Sequence, residues 1–400
     1  MKLNNVYRVG DSQAGNIGIS EGKITDAAKE PSSAMQLMFD KALVFPGLIN
    51  SHDHLDFNLF PQLGDRIYAN YTEWGAYIHQ NYRQQIAEVT QIPLDLRTEW
   101  GIYKNLLAGV TTVINHGDKL PVKNPPITVY EKGQSLHSVG FEKRWRTMLN
   151  HPFRKNIPVV IHTGEGTDKA AADEIDRLIS WNLFNRDLIG IHGVAMSPRQ
   201  ARRFTALVWC PQSNYYLLGD TAAINVLKRH TAILFGTDST LTSGWNIWEH
   251  IRQARETVLL TDDETLASLT TAPASTWGLS TGIIAPGYDA DLVVARMKDE
   301  PPTYNSFFKL NPADILLVLH KGNIRLFDAS LYSQLNEVPK NSFSKINIAG
   351  AYKYVYGNLP RLMDEIKAYY PGARFPVNEP HPKPFSFGEG LKELNNDFVG

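Results

Sequence analysis

Cysteine is almost missing from this chain. A single one, Cys210, in 400 residues excludes intramolecular disulfides and a cysteine-rich zinc site. No apolar run of about 18 residues occurs, so no membrane-spanning helix is expected. The opening MKLNNVYRVGDSQ has no apolar core segment, which reads as no signal peptide. Charge of either sign is not in excess: the net charge is -1 and no long basic run exists. That argues against nucleic acid or an anionic membrane as the main partner. With 43% hydrophobic and 20% charged residues, the composition is that of an ordinary globular protein, and a cytoplasmic enzyme is the default expectation.

What the chain does have is a series of short apolar runs that each end in chemistry. Leu43-Val44-Phe45 leads through Pro46-Gly47 and Leu48-Ile49 to His52 and His54. On a strand, residues two apart share a face, so both imidazoles can reach one point. Imidazole is the commonest ligand for divalent transition metals, and Asp53 and Asp56 add negative potential. Three further runs behave alike. Ile157–Ile161 ends in His162, followed by Thr163-Gly164-Glu165; Leu188–Ile191 ends in His192-Gly193; Thr231–Gly236 ends in Thr237-Asp238-Ser239. Short continuous apolar runs read as strands buried on both faces of a parallel sheet, and a barrel of such strands gathers its active groups at the C-terminal rim.

These motifs, Pro-Gly-x-x-x-x-His-x-His, strand-His-x-x-Glu, strand-His-Gly and strand-Gly-Thr-Asp-Ser, resemble the amidohydrolase superfamily. Within it they are most similar to the deaminase and triazine-hydrolase branch, with its cytosine, guanine and S-adenosylhomocysteine deaminases. Cys210-Pro211-Gln212-Ser213-Asn214 and the stretch Gly282–Val294 agree, and the resemblance covers about residues 1–330. It implies that His52, His54, His162 and Asp238 hold one divalent metal, zinc or else ferrous iron, and leave room for a water whose pKa zinc can lower to about 7. It implies Glu165 as the proton shuttle to a leaving nitrogen, His192 as a donor to the attacking water or a substrate oxygen, and Asp238 also as acceptor of the water proton. The lone cysteine excludes the other zinc-deaminase design, which needs a Pro-Cys-x-x-Cys pair. A two-metal site bridged by a carboxylated lysine is disfavoured, because the candidate fourth strand, Ser135–Val139, holds His137 and no lysine.

The fold class implied is α/β: a (β/α)8 TIM-like barrel with a small β-sandwich built from N- and C-terminal segments. Residues 1–42 and 282–336 supply the sandwich, 43–281 the metal-dependent hydrolase barrel, and 337–400 a tail that packs on the barrel or on a partner subunit of a homodimer. Helices are expected at Asp95–Ala108, Asp168–Leu183, Thr221–Arg229, Ile247–Leu259 and Asp263–Trp277. Only about 40 residues separate the strand Val110–His116 from that of His162. The barrel is therefore expected to be abbreviated around strands 2–4, with strands at Ile127–Tyr130 and Ser135–Val139, a helix at Glu142–Asn150, and the second and third barrel helices lost or reduced.

The first loop of the barrel, 55–92, is long and rich in aromatics, and long loops are commonly functional. Its rings either cover the substrate or pack the loop. Trp74, His116 and Asn214 are candidate substrate contacts; for His116 structural support is the open alternative. Cys210 reads as a buried thiol, and His230, His250, His320 and His381 carry no assigned role. The tail's Tyr352, Tyr354, Tyr356, Tyr369 and Tyr370 are expected to bury against a surface. The resulting expectation is a hydrolase of non-peptide C–N bonds acting on a small nitrogenous molecule, most simply by deaminating an aminated heterocycle. The alternatives are opening of a cyclic amide or amidine by the same site, and an inactive scaffold.

Overall fold

Long and short strands make two kinds of sheet in the computed structural model, which describes residues 1–300 and 303–378. The chain begins with β1 (Lys2–Arg8), β2 (Ala14–Ser20), β3 (Lys23–Thr25) and the long β4 (Gln36–Pro46). Eight buried or half-buried strands follow: β5 (Leu48–Asp53), β6 (Val110–Asn115), β7 (Thr128–Tyr130), β8 (Gln134–Ser138), β9 (Val159–Thr163), β10 (Leu188–His192), β11 (Ala206–Trp209) and β12 (Ala232–Phe235). The last set is β13 (Leu292–Arg296), β14 (Ile315–His320), β15 (Asn323–Asp328), β16 (Phe343–Ile348) and β17 (Ala351–Tyr356). No helix among the described residues is long and apolar enough to cross a membrane.

The eight central strands are parallel within two ladders, β5-β6-β7 and β8-β9-β10-β11-β12. Their succession is that of an eight-stranded barrel, but the ladder of hydrogen bonds does not close. At one seam the turn after β12 adjoins β5, where the Thr237 and Asp238 N–H groups donate to His52 O at 3.1 and 3.0 Å. At the other, β7 and β8 do not pair. Only Glu131, Lys132 and Gly133 connect them, far short of the dozen or so residues a parallel crossover needs. The region between β6 and β9 keeps a single short α-helix, Trp145–Leu149, narrower than the expected Glu142–Asn150.

The segments expected to form the sandwich lie in one nine-stranded ladder, in the order β16-β17-β15-β14-β13-β4-β1-β2-β3. The eleven-residue β4 explains this: it pairs in parallel with β1 on one edge and antiparallel with β13 on the other. N- and C-terminal segments thus share one continuous ladder. The strands β16 and β17, read from sequence as tail, extend that same ladder through β15. In β17 the buried face is Lys353 and Val355, while Tyr352 and Tyr356 stay exposed. The expectation that the tyrosines bury holds in part for Tyr354, stacked on Phe327 at 4.9 Å, and for half-buried Tyr370, and fails for Tyr352, Tyr356 and Tyr369. The Lys353 ammonium survives inside because it donates to Ile315 O at 2.5 Å and to Asp328 Oδ2 at 3.1 Å. His381 and the Pro380 run lie outside the described residues.

Two other helices depart from expectation. Thr221–Arg229 contracts to one turn, Ile224–Leu227. Asp263–Trp277 forms as two helices, Asp262–Ser268 and Thr271–Trp277. Pro273 has no N–H to give the Leu269 carbonyl four residues back and would clash with it. That carbonyl instead accepts from Ile49 N in β5 at 2.8 Å. The helix start is set by Thr261, whose hydroxyl caps Glu264 N–H while the Glu264 carboxylate accepts from Thr261 N–H, a reciprocal capping box.

Sheet and barrel strands share a core: Phe45 of β4 meets Trp248 and Phe307 edge-on, with ring centroids 5.8 and 5.2 Å apart. The helix Leu94–Leu107 packs under the end of β5 so closely that a Cβ on Gly101 would lie 2.1 Å from Leu55 O. A backbone oxygen cannot rotate away. Gly101→Ala should therefore lower stability by about 1–2 kcal/mol in urea unfolding, because overpacking costs about 1–3 kcal/mol against a helix-propensity gain of about 1 kcal/mol.

Candidate metal centre

Histidines converge where the parallel strands end. β5 is buried at every residue, Leu48 through Asp53, so its polar end has no water to turn to. Alternation sends His52 to one face and Asp53 to the other. His52 Nε2 lies 3.2 Å from His162 Nε2 of β9 and 3.6 Å from Asp238 Oδ1, and His54 Nε2 lies 3.8 Å from the same carboxylate oxygen. Two overlapping donor groups result: His52, His54 and Asp238, and His52, His162 and His192, each with all its ligand atoms within 4.8 Å of one another. His192, read from sequence as a proton-transfer residue, thus stands among the possible ligands too. Gly236 is what allows the approach, since a Cβ there would sit 2.8 Å from His52 Cβ.

Backbone geometry aims these side chains. Asp238 and His192 adopt φ of 59° and 71°, a left-handed conformation that Asp and His tolerate better than most residues. Asp238 is then fixed by its neighbours. Ser213 and Thr242 hydroxyls donate to Oδ2 at 2.8 and 2.9 Å, and Ser239 N donates to Oδ1 at 2.8 Å. Burial alone would push this carboxyl up, but the hydrogen bond and charge of His52, with His54 and His192, carry it well below the usual carboxylate range. Burial lowers His54 to about 3 and holds His162 well below the ordinary imidazole value. An ionised carboxylate among imidazoles that keep their lone pairs free is the donor chemistry of a divalent transition-metal site, and the residues fit one.

Glu165 follows β9 on the cavity side. It is buried, and burial together with the charge of Asp238 raises it well above the usual range. Its Oε1 stands 3.5 Å from His192 Nε2. The His192 Nδ1 lies 2.8 Å from Asn214 Oδ1, while Asn214 Nδ2 donates to Thr221 Oγ1 at 3.2 Å. An amide oxygen only accepts, so Nδ1 carries the ring proton. With burial lowering His192 to about 4, the neutral ring presents Nε2 as an acceptor. The expected donor role of His192 at Nε2 belongs to the protonated ring. The Nδ1 contact also places Asn214 behind His192 rather than against substrate.

A cavity of about 630 Å³ opens above these groups, lined among others by His54, Trp74, His162, Glu165, His192 and Asp238. The long loop's aromatics divide between both roles left open by sequence. Phe57, Phe60, Tyr71 and Trp74 face the cavity, whereas Tyr68 is buried with Leu217 and Leu218. His116 does not line the cavity. It lies beneath, with ring centroids 4.5 Å from His162 and 5.2 Å from His52 and both nitrogens buried without a partner. His250 and His320 have structural partners, Gly244 O and Asp291. Cys210 is buried, and burial pushes its thiol up.

Sequence reasoning missed two features. His137, noted only for not being lysine, opens onto the cavity 5.2 Å from the His162 ring. Under the histidines lies a buried polar network. Asp53 Oδ2 accepts from Lys104 Nζ at 3.1 Å and Asn105 Nδ2 at 2.8 Å, and Oδ1 accepts from Asn58 Nδ2 at 2.8 Å. Lys104 also reaches Asn58 Oδ1 and Asp238 O, at 2.8 and 3.3 Å. The sequence signal was Lys104-Asn105 on an otherwise apolar helix face, a pair that needs partners if buried.

Residues 146–325 match the amidohydrolase family. The 5-methylthioadenosine/S-adenosylhomocysteine deaminase of Pyrococcus furiosus is 24% identical over 82% of this chain and 94% of its own length. A zinc-bound adenosine deaminase from Xanthomonas campestris superposes with a TM-score of 0.69 at 16% identity, covering 92% of this chain and 96% of that one. A zinc-complexed atrazine chlorohydrolase from Arthrobacter aurescens gives 0.67 at 15% identity, covering 92% of this chain and all of that one. The last two likenesses concern the fold.

Removing one partner of a buried ion pair leaves the other unpaired, at a cost of about 3–5 kcal/mol. Lys104→Met should lose that much in urea unfolding, and Asp53→Asn added to it should recover part of the loss. Because His54 and His162 keep their lone pairs free well below pH 6.5, proton competition for the ligands is also displaced downward. Zinc uptake by metal-free protein should persist at about pH 5, where ordinary imidazoles would already be protonated. Equilibrium dialysis across pH 4 to 8 reads this directly.

Proposed function

Since the chain carries an amidohydrolase-family domain, we propose that it is a metal-dependent hydrolase of non-peptide C–N bonds whose reaction is the hydrolytic deamination of an aminated heterocycle. The observation that carries this reading is that two buried carboxyls on one cavity wall have opposite surroundings: hydrogen bonds and imidazoles carry Asp238 below the usual range, while burial and the charge of Asp238 push Glu165 above it. Environments that drive two carboxyls apart assign one as charge and the other as acid.

His52, His54, His162 and Asp238 would hold one divalent ion, zinc or ferrous iron. Bound there, the ion supplies Lewis acidity that makes a water nucleophilic near neutral pH. Asp238 would offer Oδ1 to the ion, since Ser213 and Thr242 hydroxyls occupy Oδ2. Glu165 starts with a proton and gives it to a nitrogen of the substrate. Its freed carboxylate then accepts one proton of the attacking water and returns it to the departing amine, so that ammonia leaves neutral, and the remaining hydroxyl proton passes by way of Asp238 back to Glu165 as the carbonyl forms. His192 accepts a hydrogen bond at Nε2 and thereby orients the water, with Asn214 fixing its tautomer. All proposed ligands are present, which supports this reading over that of an inactive scaffold.

Glu165→Gln fills the same volume but can neither give nor take that proton. The variant should bind about one equivalent of zinc, as wild type does, while kcat falls about a hundredfold or more. Metal content by atomic emission and ammonia release from aminated purines, pyrimidines, pterins and triazines test it together. Loss of metal would make Glu165 a ligand, and two equivalents in wild type would overturn the mononuclear reading.

A further inference from the structure

The cavity's floor is polar and its walls are not. Phe57, Phe60, Trp74, Ile78, Phe141 and Leu241 form the walls, and among the described residues no lysine or arginine lines the cavity. The polar atoms on those walls are largely spent. Trp74 Nε1 donates to Leu63 O at 2.7 Å. The Tyr71 hydroxyl donates to Glu174 at 3.1 Å and accepts from Gly140 N at 3.0 Å, and Thr242 is held by Asp238. The walls therefore offer mainly ring faces and aliphatic surface, with the imidazoles of His79 and His137 as their open polar groups.

Size adds a second constraint. About 630 Å³ is in the range that encloses a drug-sized ligand and exceeds what a bare heterocycle fills. Phe141 is 46% exposed although it borders an otherwise apolar space, so a large ring face there is left for a ligand to cover. Resting on the deaminase reading above, we infer that the substrate is an uncharged aminated ring carrying an apolar arm that lies against Phe141, Trp74 and Ile78, and that the site rejects the same ring when its arm ends in an anion. A carboxylate on that arm would lose its water without gaining a lysine or arginine partner on the wall, a costly burial.

The test uses metal-loaded protein and adenine, cytosine and aminotriazine rings, each N-alkylated with either a butyl or a carboxypropyl arm. Calorimetric Kd and kcat/KM for ammonia release are measured for every pair. At least one ring should favour its butyl arm by about a hundredfold in both quantities, since unpaired polar burial discriminates more strongly than a methylene does. Phe141→Arg, which places a cation on the wall, should narrow the ratio to about tenfold or less. Equal or tighter binding of the acid arm, no measurable binding of any butyl compound, or a ratio unmoved by Phe141→Arg overturns the inference even if ammonia is released. A preserved Kd ratio with no ammonia from any compound leaves the inference standing and defeats the deamination reading instead.

Discussion

The metal centre hangs from one buried ion pair, Asp53 with Lys104. Both groups are essentially inaccessible, and two charges taken out of water are stable together only where every lone pair and proton finds a partner. Here they do: Asn50, Asn58 and Asn105 complete Asp53, and Asn58, Thr237 and Asp238 O complete Lys104. The residue between the two histidines is therefore as consequential as they are. His52 and His54 face the cavity because Asp53, one pleat out of phase, faces the network. The same network grips the Thr237-Asp238 turn, so ligands from the first and last parallel strands are set by a single cluster.

That rigidity is needed because the backbones at Asp238 and His192 are strained. Left-handed φ at non-glycine residues costs about 1–3 kcal/mol each and persists only when surroundings over-determine it. At Asp238 three donors to one carboxylate do so, and at His192 the contact with Asn214 does. Fixed donors then decide protonation as well as position. Asp238 is surrounded by groups that favour its charge, whereas Glu165, only a short way across the same cavity, has burial and a neighbouring anion against it. The chemistry of the floor is written in this contrast more than in residue identity, since both are carboxylates.

Much of this was legible in the sequence for a physical reason. Strands buried on both faces leave continuous apolar runs, so polar residues at their ends stand out, as His162, His192 and Asp238 do. Features that depend on pairing between distant segments left weaker traces. Nothing local shows that eleven-residue β4 will join N- and C-terminal strands into one sheet, or that β17 buries Lys353 while its tyrosines face out; Val355 alone marks the inward face. Pro273 was a visible helix breaker, outweighed by the apolar periodicity around it. Lysine is nearly always at the surface, so Lys104 gives little local sign of its burial, and its partners lie as far as 134 residues away.

The places where the barrel pattern fails are those that shape the cavity. The floor comes from regular strand ends, but the walls come from the long insertion after β5 and from the segment following β8. With no helix between β7 and β8 and only a short one after β8, no regular crossover covers this side, and His137 and Phe141 reach the open space. Had a full-length helix followed β8, its residues would have packed there and the wall would have been closed by the barrel's own core. The irregular ladder and the apolar, cation-free wall are thus one structural fact. The regular geometry of a parallel sheet places the polar floor, and the departure from that geometry leaves the apolar wall above it.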